Sequence, residues 1–363
     1  MTSANMLATE NLEQLMKKPS RSICGAISAL AAVTTILAGG AASADPVADF
    51  YKGKTFTVLV GQEPGTGFDI YSRALARHIQ RYIPGNPAIV VQNMPGASGV
   101  NAWNWLYNIA PKDGTLMGTA SQNVVVEPLM GNAQAKYDAT RMVWVGNMEE
   151  SASVCGISTA AGVEKFDELL RKEVVFGATG PTGPLGQAAR ALNMIVGTQL
   201  KIIYGYKGSA SVKLAIQKGE VAGICGLPWS TIKAFWKDML DAKQFRPIIQ
   251  LSAKRLPELG SIVHVDDYAK TDEQRQLVNL IFGQLVLGRI YAMPPGVLDE
   301  RAAAVRKAFM ATLVDKEFLV DAEKTRIDII PADGATVDAR IKEFYKSSPA
   351  IVAKAKETVG VKN

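Results

Sequence analysis

Two glycine-rich segments hold the residue types in this chain best suited to chemistry. The first is Gln62-Glu63-Pro64-Gly65-Thr66-Gly67-Phe68-Asp69, and the second is Ala178-Thr179-Gly180-Pro181-Thr182-Gly183-Pro184-Leu185-Gly186. Glycine lets backbone N–H groups approach a bound group closely. A helix start adds unpaired donors and partial positive charge. Such a turn suits a carboxylate or a phosphate, but it also serves as a plain capped turn, and one copy does not decide. Two copies, each after an apolar run and before a helical pattern, favour binding. One helix N-terminus from each would clamp the two ends of a dicarboxylate or both sides of a single carboxylate. Candidate ligand residues are therefore Gly65, Thr66, Gly67, Phe68 and Asp69 on one side, and Thr179, Gly180, Thr182 and Gly183 on the other. Thr66 and Asp69 have capping-box spacing. Pro184 fits a first helical turn, where its missing N–H costs nothing. Neither segment is a GxxxxGK[ST] phosphate loop or a GxGxxG dinucleotide fingerprint.

Neutral polar groups add to this set. Ser98 lies in "PGASG", and Ser121-Gln122-Asn123 end another apolar run. In the second half Tyr206 and Lys207 stand in "GYKGSA". Lys207 is either a solvated charge or, if it reaches a cleft, a residue that favours an anion. Trp229 is either an apolar wall of the site or a core aromatic. Catalytic signatures are lacking: there is no GxSxG elbow and no HExxH. Asp69, Asp113 and Glu127 fall near strand ends, but nothing in the sequence pairs them as acid and base. His78 and His264 are the only histidines, and with so few cysteines a zinc site is not expected. No metal or cofactor is expected.

The elements that must position these residues alternate. Phe56–Val60, Ala88–Val91, Thr115–Gly118 and Met142–Gly146 read as strands, with helices between the first three. A second series follows: Val174–Phe176, Lys201–Tyr204 and Val221–Ile224, again with helices between. This order implies parallel strands with right-handed crossovers, in two α/β lobes built on one plan. Ligands in such sheets sit beyond the carboxyl ends of the strands, where the turns fall. The expected organisation is a first lobe opening at 45–150, a second lobe over 151–250, and 251–363 completing the first lobe with C-terminal helices. Hinge crossings are expected near 147–154 and 248–256.

Composition bounds the class. Hydrophobic residues at 48% against 20% charged exclude disorder. The net charge of +6 is spread without a basic, aromatic-rich block, so no nucleic-acid site is expected. At the N-terminus, Lys17, Lys18 and Arg21 precede the apolar run Ile23–Leu37, and Ala42-Ser43-Ala44 follows. That is the layout of an export signal cleaved after Ala44, with an uncleaved anchor as the alternative. Residues 1–15 add nothing to such a signal, so translation is a candidate to begin at Met16. The mature chain would keep Cys155 and Cys225. In an oxidising compartment the pair is a disulfide candidate, with two buried thiols as the alternative.

The stretches "FYKGKTFTVLVGQEPGTGFDIYSRALARHI" and "VVQNMPGASGVNAWNWLYNIAPKDGTLMGT" resemble the start of the tripartite tricarboxylate transporter receptors, the TctC or Bug-type periplasmic solute-binding proteins. "FGATGPTGPLGQAA" and "GYKGSASVKLAIQKGEVAG" resemble that family's second-lobe segments. The likeness covers most of residues 50–345. It implies a type II periplasmic-binding fold, each lobe a mainly parallel sheet flanked by helices, with a two-strand hinge and flytrap closure. It implies carboxylate capture by the turns at 63–69 and 179–186, partly through waters, and delivery to a small and a large membrane subunit; the chain itself is expected to be a monomer. The family's PGG-S-x-D is here Pro64-Gly65-Thr66-Gly67-Phe68-Asp69. The second-lobe turn carries two prolines and lacks the family's following His. A sensor of ligand occupancy and a periplasmic enzyme on the same scaffold are the competing readings.

Overall fold

The computed structural model describes residues 45–150, 152–181, 183–252 and 255–360. The export signal expected over 1–44 and the candidate Thr182 lie outside the described residues. No helix among the described residues is long and apolar enough to cross a membrane.

The first sheet forms around the β-branched run Thr55–Val60 (β1), which pairs in parallel with Ala88–Asn93 (β2) and Leu116–Thr119 (β3). Val143–Asn147 (β4) belongs to the same sheet. The second sheet contains Ser153–Ser158 (β5), Val174–Gly177 (β6), Leu200–Ile203 (β7), Gly223–Pro228 (β8) and Phe245–Leu251 (β9). The chain then returns to the first sheet with Ile290–Met293 (β10) and Ala332–Asp333 (β11). The strand orders are β11-β4-β10-β3-β1-β2 and β7-β6-β8-β5-β9.

Two parallel series are therefore present, as expected, but the first sheet also holds two reversed strands, β10 and β11, and the second holds one, β5. β10 runs antiparallel to both β3 and β4, and β5 runs antiparallel to both β8 and β9. β5 was not anticipated. Its sequence, SVCGIS, contains a glycine and is buried at its first five positions, so it shows no alternation.

Twelve helices are described. In chain order they are α1 (Pro46–Tyr51), α2 (Gly67–Ile79), α3 (Val100–Asn108), α4 (Pro184–Ala191), α5 (Ser209–Gln217), α6 (Trp229–Phe235), α7 (Lys237–Asp241), α8 (Asp272–Phe282), α9 (Asp299–Leu313), α10 (Lys316–Lys324), α11 (Gly334–Phe344) and α12 (Pro349–Val359). α2 shows why such segments coil. Tyr71, Ala74, Leu75 and Ile79 recur at helical spacing and are buried, while Arg73 and Arg77 face outward. Burying Leu75 and Ile79 contributes about 1.5–3 kcal/mol each relative to exposure.

The core lies on both faces of the first sheet. Phe56, Val58, Leu75, Phe309 and Phe318 fill one face. Leu59, Trp103, Leu106 and Trp144 fill the other, in a cluster continuous with Phe176, Leu192 and the apolar sides of α8 and α12. α8 and α12 pack on each other and on α4.

Cys155 of β5 and Cys225 of β8 form a disulfide, which decides between the two alternatives left by the sequence. Both residues are buried on neighbouring strands, where the β5–β8 register shifts between Val154 and Gly156.

Candidate functional site

Topology brings the glycine-rich turns to one rim of each sheet. β1 to β4 end at Val60, Asn93, Thr119 and Asn147, and β6 to β9 end at Gly177, Ile203, Pro228 and Leu251. The reversed strands β10 and β5 begin at the same rims. The chain runs from the end of β4 to the start of β5 through residues 148–152 alone, so the two carboxyl rims meet across a short link. The return is longer. The segment after β9 stays with the second sheet, where the Gln250 N–H donates to Val263 O at 2.9 Å and Gln250 bridges His264. The chain then reaches β10 through α8.

The turns approach one another across this link. Ser98 Oγ lies 3.9 Å from the point a β-carbon on Gly183 would occupy. Gln122 and Asn123 from the first lobe, Pro184 and Gln187 from α4, and Gln284 line one small cavity. Ser98 and its neighbour Ala97 both adopt left-handed φ, 55° and 47°. Two consecutive non-glycine residues in that region store strain of about 1 kcal/mol or more each, and such strain concentrates at sites where geometry matters.

In the first turn Thr66 is the N-cap of α2, but its hydroxyl makes no capping bond and donates instead to Glu63 O at 2.8 Å. The expected capping box is therefore corrected. Asp69 reaches back past Thr66 and accepts from the Gly65 N–H at 2.8 Å. Asp69 is 3% exposed and also accepts from Arg73 Nε and Asn93 Nδ2, each at 3.0 Å. Burial pushes its pKa up, but Arg73 and the Gly65 and Asn93 N–H groups outweigh burial and hold it below the usual carboxylate value. Asp69 is thus bound up in shaping the turn. Ser121 accepts from Gln62 Nε2 at 2.7 Å, tying two strand ends together.

In the second lobe Gly183 caps α4 with Pro184 in its first turn, as the sequence suggested. Close packing requires glycine at 186, where a β-carbon would fall 2.1 Å from Gly180 O. The Gly205 N–H donates to Thr179 O at 3.3 Å, which joins this turn to the end of β7. Tyr206 is half-buried, its ring 3.2 Å from the β-carbon position of Gly177. Lys207 is exposed. Trp229 opens α6, its N–H donating to Ala152 O at 2.8 Å beside the link.

Buried polar atoms without hydrogen-bond partners are rare in folded proteins and need an explanation. Trp103 Nε1, Arg246 Nε and Arg301 Nε lie elsewhere, and the other eight such side-chain atoms among the described residues gather at the two rims. In and beside the first sheet they are Thr119 Oγ1, Asn123 Oδ1, Glu149 Oε2, Gln284 Oε1 and Arg289 Nε; in the second they are Ser153 Oγ, Trp229 Nε1 and Ser230 Oγ. Only Asn123 and Trp229 among these residues were singled out from the sequence. Arg289 is the largest omission. Its one signal was a lone cation inside the apolar run "LVLGRIYAM".

Away from the rims, His78, Asp315 and Glu317 bring three candidate metal ligands within 4.8 Å of one another. Arg81 already bonds both carboxylates and His78 bonds Asp321, so the group is a surface ion-pair network.

A two-lobed α/β fold with its carboxyl rims meeting across a short link is the architecture of the periplasmic solute-binding proteins. No family model matches the chain, and no curated protein matches it in sequence. Solved structures share its fold. A TctC solute binding protein from Polaromonas, without ligand, has a TM-score of 0.63 at 16% identity, covering 85% of this chain and 99% of that one. An R. palustris protein solved with adipate has a TM-score of 0.63 at 16% identity, covering 85% and 97%. MatC from Rhodopseudomonas palustris, with bound malate, has a TM-score of 0.60 at 13% identity, covering 84% and 99%.

Proposed function

We propose that this chain is an exported periplasmic receptor that closes its two lobes on a small carboxylate-type solute. The turns at 63–69 and 179–186 face the solute, with Ser98, Ser121, Gln122, Asn123, Tyr206, Lys207 and Trp229 around them. It acts as a monomer and delivers its cargo to the membrane subunits of a tripartite tricarboxylate-type transporter. The observation that carries this reading is the gathering of unpartnered buried polar atoms at two rims joined by a short link. A polar solute held there would satisfy them. Fold neighbours solved with adipate and malate favour a carboxylate.

Binding rather than catalysis is favoured by what the carboxylates do. Asp69 is held by Arg73, Gly65 and Asn93, and Glu127 accepts from Asn123 and Asn132 at 2.8 and 2.7 Å. Both are committed to shaping loops. The test is native mass spectrometry of protein purified without refolding, followed by a thermal-shift screen of organic acids, amino acids and aromatic acids. A co-purified small acid and a saturable shift are expected. Silence across the whole panel would sink the receptor reading.

A further inference from the structure

This inference rests on the receptor reading and deepens it at one residue. Arg289, just before β10, is the only buried Lys or Arg among the described residues, at 3% exposure. Its Nη1 donates to Gly288 O at 2.6 Å, the one hydrogen bond of its side chain among the described residues, and the buried Nε has none. Buried guanidinium groups are ordinarily satisfied by carboxylates, often in pairs of bonds. The carboxylate beside this one, Glu149, stands 3.8 Å from Nε, beyond hydrogen-bond reach, and its own Oε2 is unpartnered.

The guanidinium lies against the rings of Phe68 and Tyr71, 4.6 Å from each centroid. Its Nη2 would be 2.9 Å from a β-carbon on Gly67, the first residue of α2. A cation is therefore packed at the N-terminus of a 13-residue helix. That is the unfavourable sign, because the helix end is itself partly positive. The buried carboxylates Asp69, in the same turn, and Glu149 offset this charge in part, yet Arg289 Nε remains an unused donor beside the helix end that an incoming anion would engage. Among the described residues, no buried cation backs the second-lobe turn.

We propose that Arg289 determines which end of the solute enters the first lobe: an ionised carboxylate sits there, held by Arg289 and the first turn of α2, while the second lobe accepts an uncharged end. Glu149 offsets part of the cation and limits its pull. One carboxylate is then sufficient for binding.

The experiment titrates the full chain with adipate, malate and benzoate, each beside its fully amidated counterpart, and with the half-amide of adipate. For the wild type, at least one acid binds, its full amide does not, and the half-amide of adipate binds wherever adipate does. Arg289→Gln weakens the acid by about tenfold or more, the scale of one lost charge-assisted bond. Glu149→Gln tightens it, because the counter-charge is gone. An acid affinity unchanged in Arg289→Gln, or weakened in Glu149→Gln, overturns the inference and leaves the receptor reading intact. If adipate binds and its half-amide does not, the single-carboxylate claim falls. If neither these probes nor any acid of the wider panel binds the wild type, the receptor reading fails and takes the inference with it. Should Arg289→Gln not fold, Arg289→Lys and Glu149→Gln decide: the lysine variant keeps the preference for acid over amide, and losing it overturns the inference.

Discussion

Asp69 shows how one residue can look like a ligand and act as a strut. Its carboxylate holds the Gly65 N–H in front of α2 and is held in turn by Arg73 and Asn93. The sign of its pH effect follows from the lowered pKa. An aspartate in the unfolded chain titrates near ~4. The stabilisation is therefore complete above that value and is lost as pH falls through the lower folded value. Asp69→Asn should cost about 1–2 kcal/mol at pH 7, toward the low end because Arg73 is 46% exposed in its side chain. Urea unfolding at pH 7 and pH 3 checks this: the gap between wild type and variant should narrow in acid, and an equal gap at both would refute it. Gly67→Ala probes the neighbouring contact. The added methyl would stand 2.9 Å from Nη2 of an arginine that is itself buried against Phe68 and Tyr71, so stability should fall by about 1–3 kcal/mol. Binding of a carboxylate should fall because the guanidinium is displaced. A variant that binds as well as wild type would show that the spacing is slack.

At the scale of elements, the reversed strand β5 is the most consequential feature. It follows the 148–152 link directly, lies between β8 and β9, and is bonded covalently to β8 through Cys155–Cys225. The disulfide closes a sequence separation of 70 residues. Constraining the unfolded chain over such a loop stabilises by roughly 2–4 kcal/mol. The double variant Cys155→Ala, Cys225→Ala should therefore shift the urea midpoint downward. Since both sulfurs are buried, reductant should act only on unfolding protein. Midpoints identical for variant and wild type under non-reducing conditions would remove this role.

For the molecule as a whole, the prediction concerns closure. The first sheet connects to the second through a five-residue link and through the longer return by α8. A ligand that binds only the folded, closed form at 100 times its Kd adds about 2.7 kcal/mol. Small-angle scattering should then show a smaller radius of gyration with ligand than without. A thermal shift with an unchanged radius would mean that the lobes bind without moving.

The sequence by itself determined the local devices: the α2 and α4 starts, the glycines at 65–67 and 180–186, and the strand series on either side. These are legible because turn chemistry and hydrophobic period act over a few neighbours in the chain. It could not place β5, whose burial on both faces erases the alternation that marks a strand. Nor could it single out Arg289. Whether a cation is solvated or trapped depends on which surfaces close over it, and Phe68, Tyr71 and Glu149 reach it from 140 to 221 residues away along the chain. Only the tertiary structure decided that, because desolvation is a property of the packed neighbourhood and not of the segment.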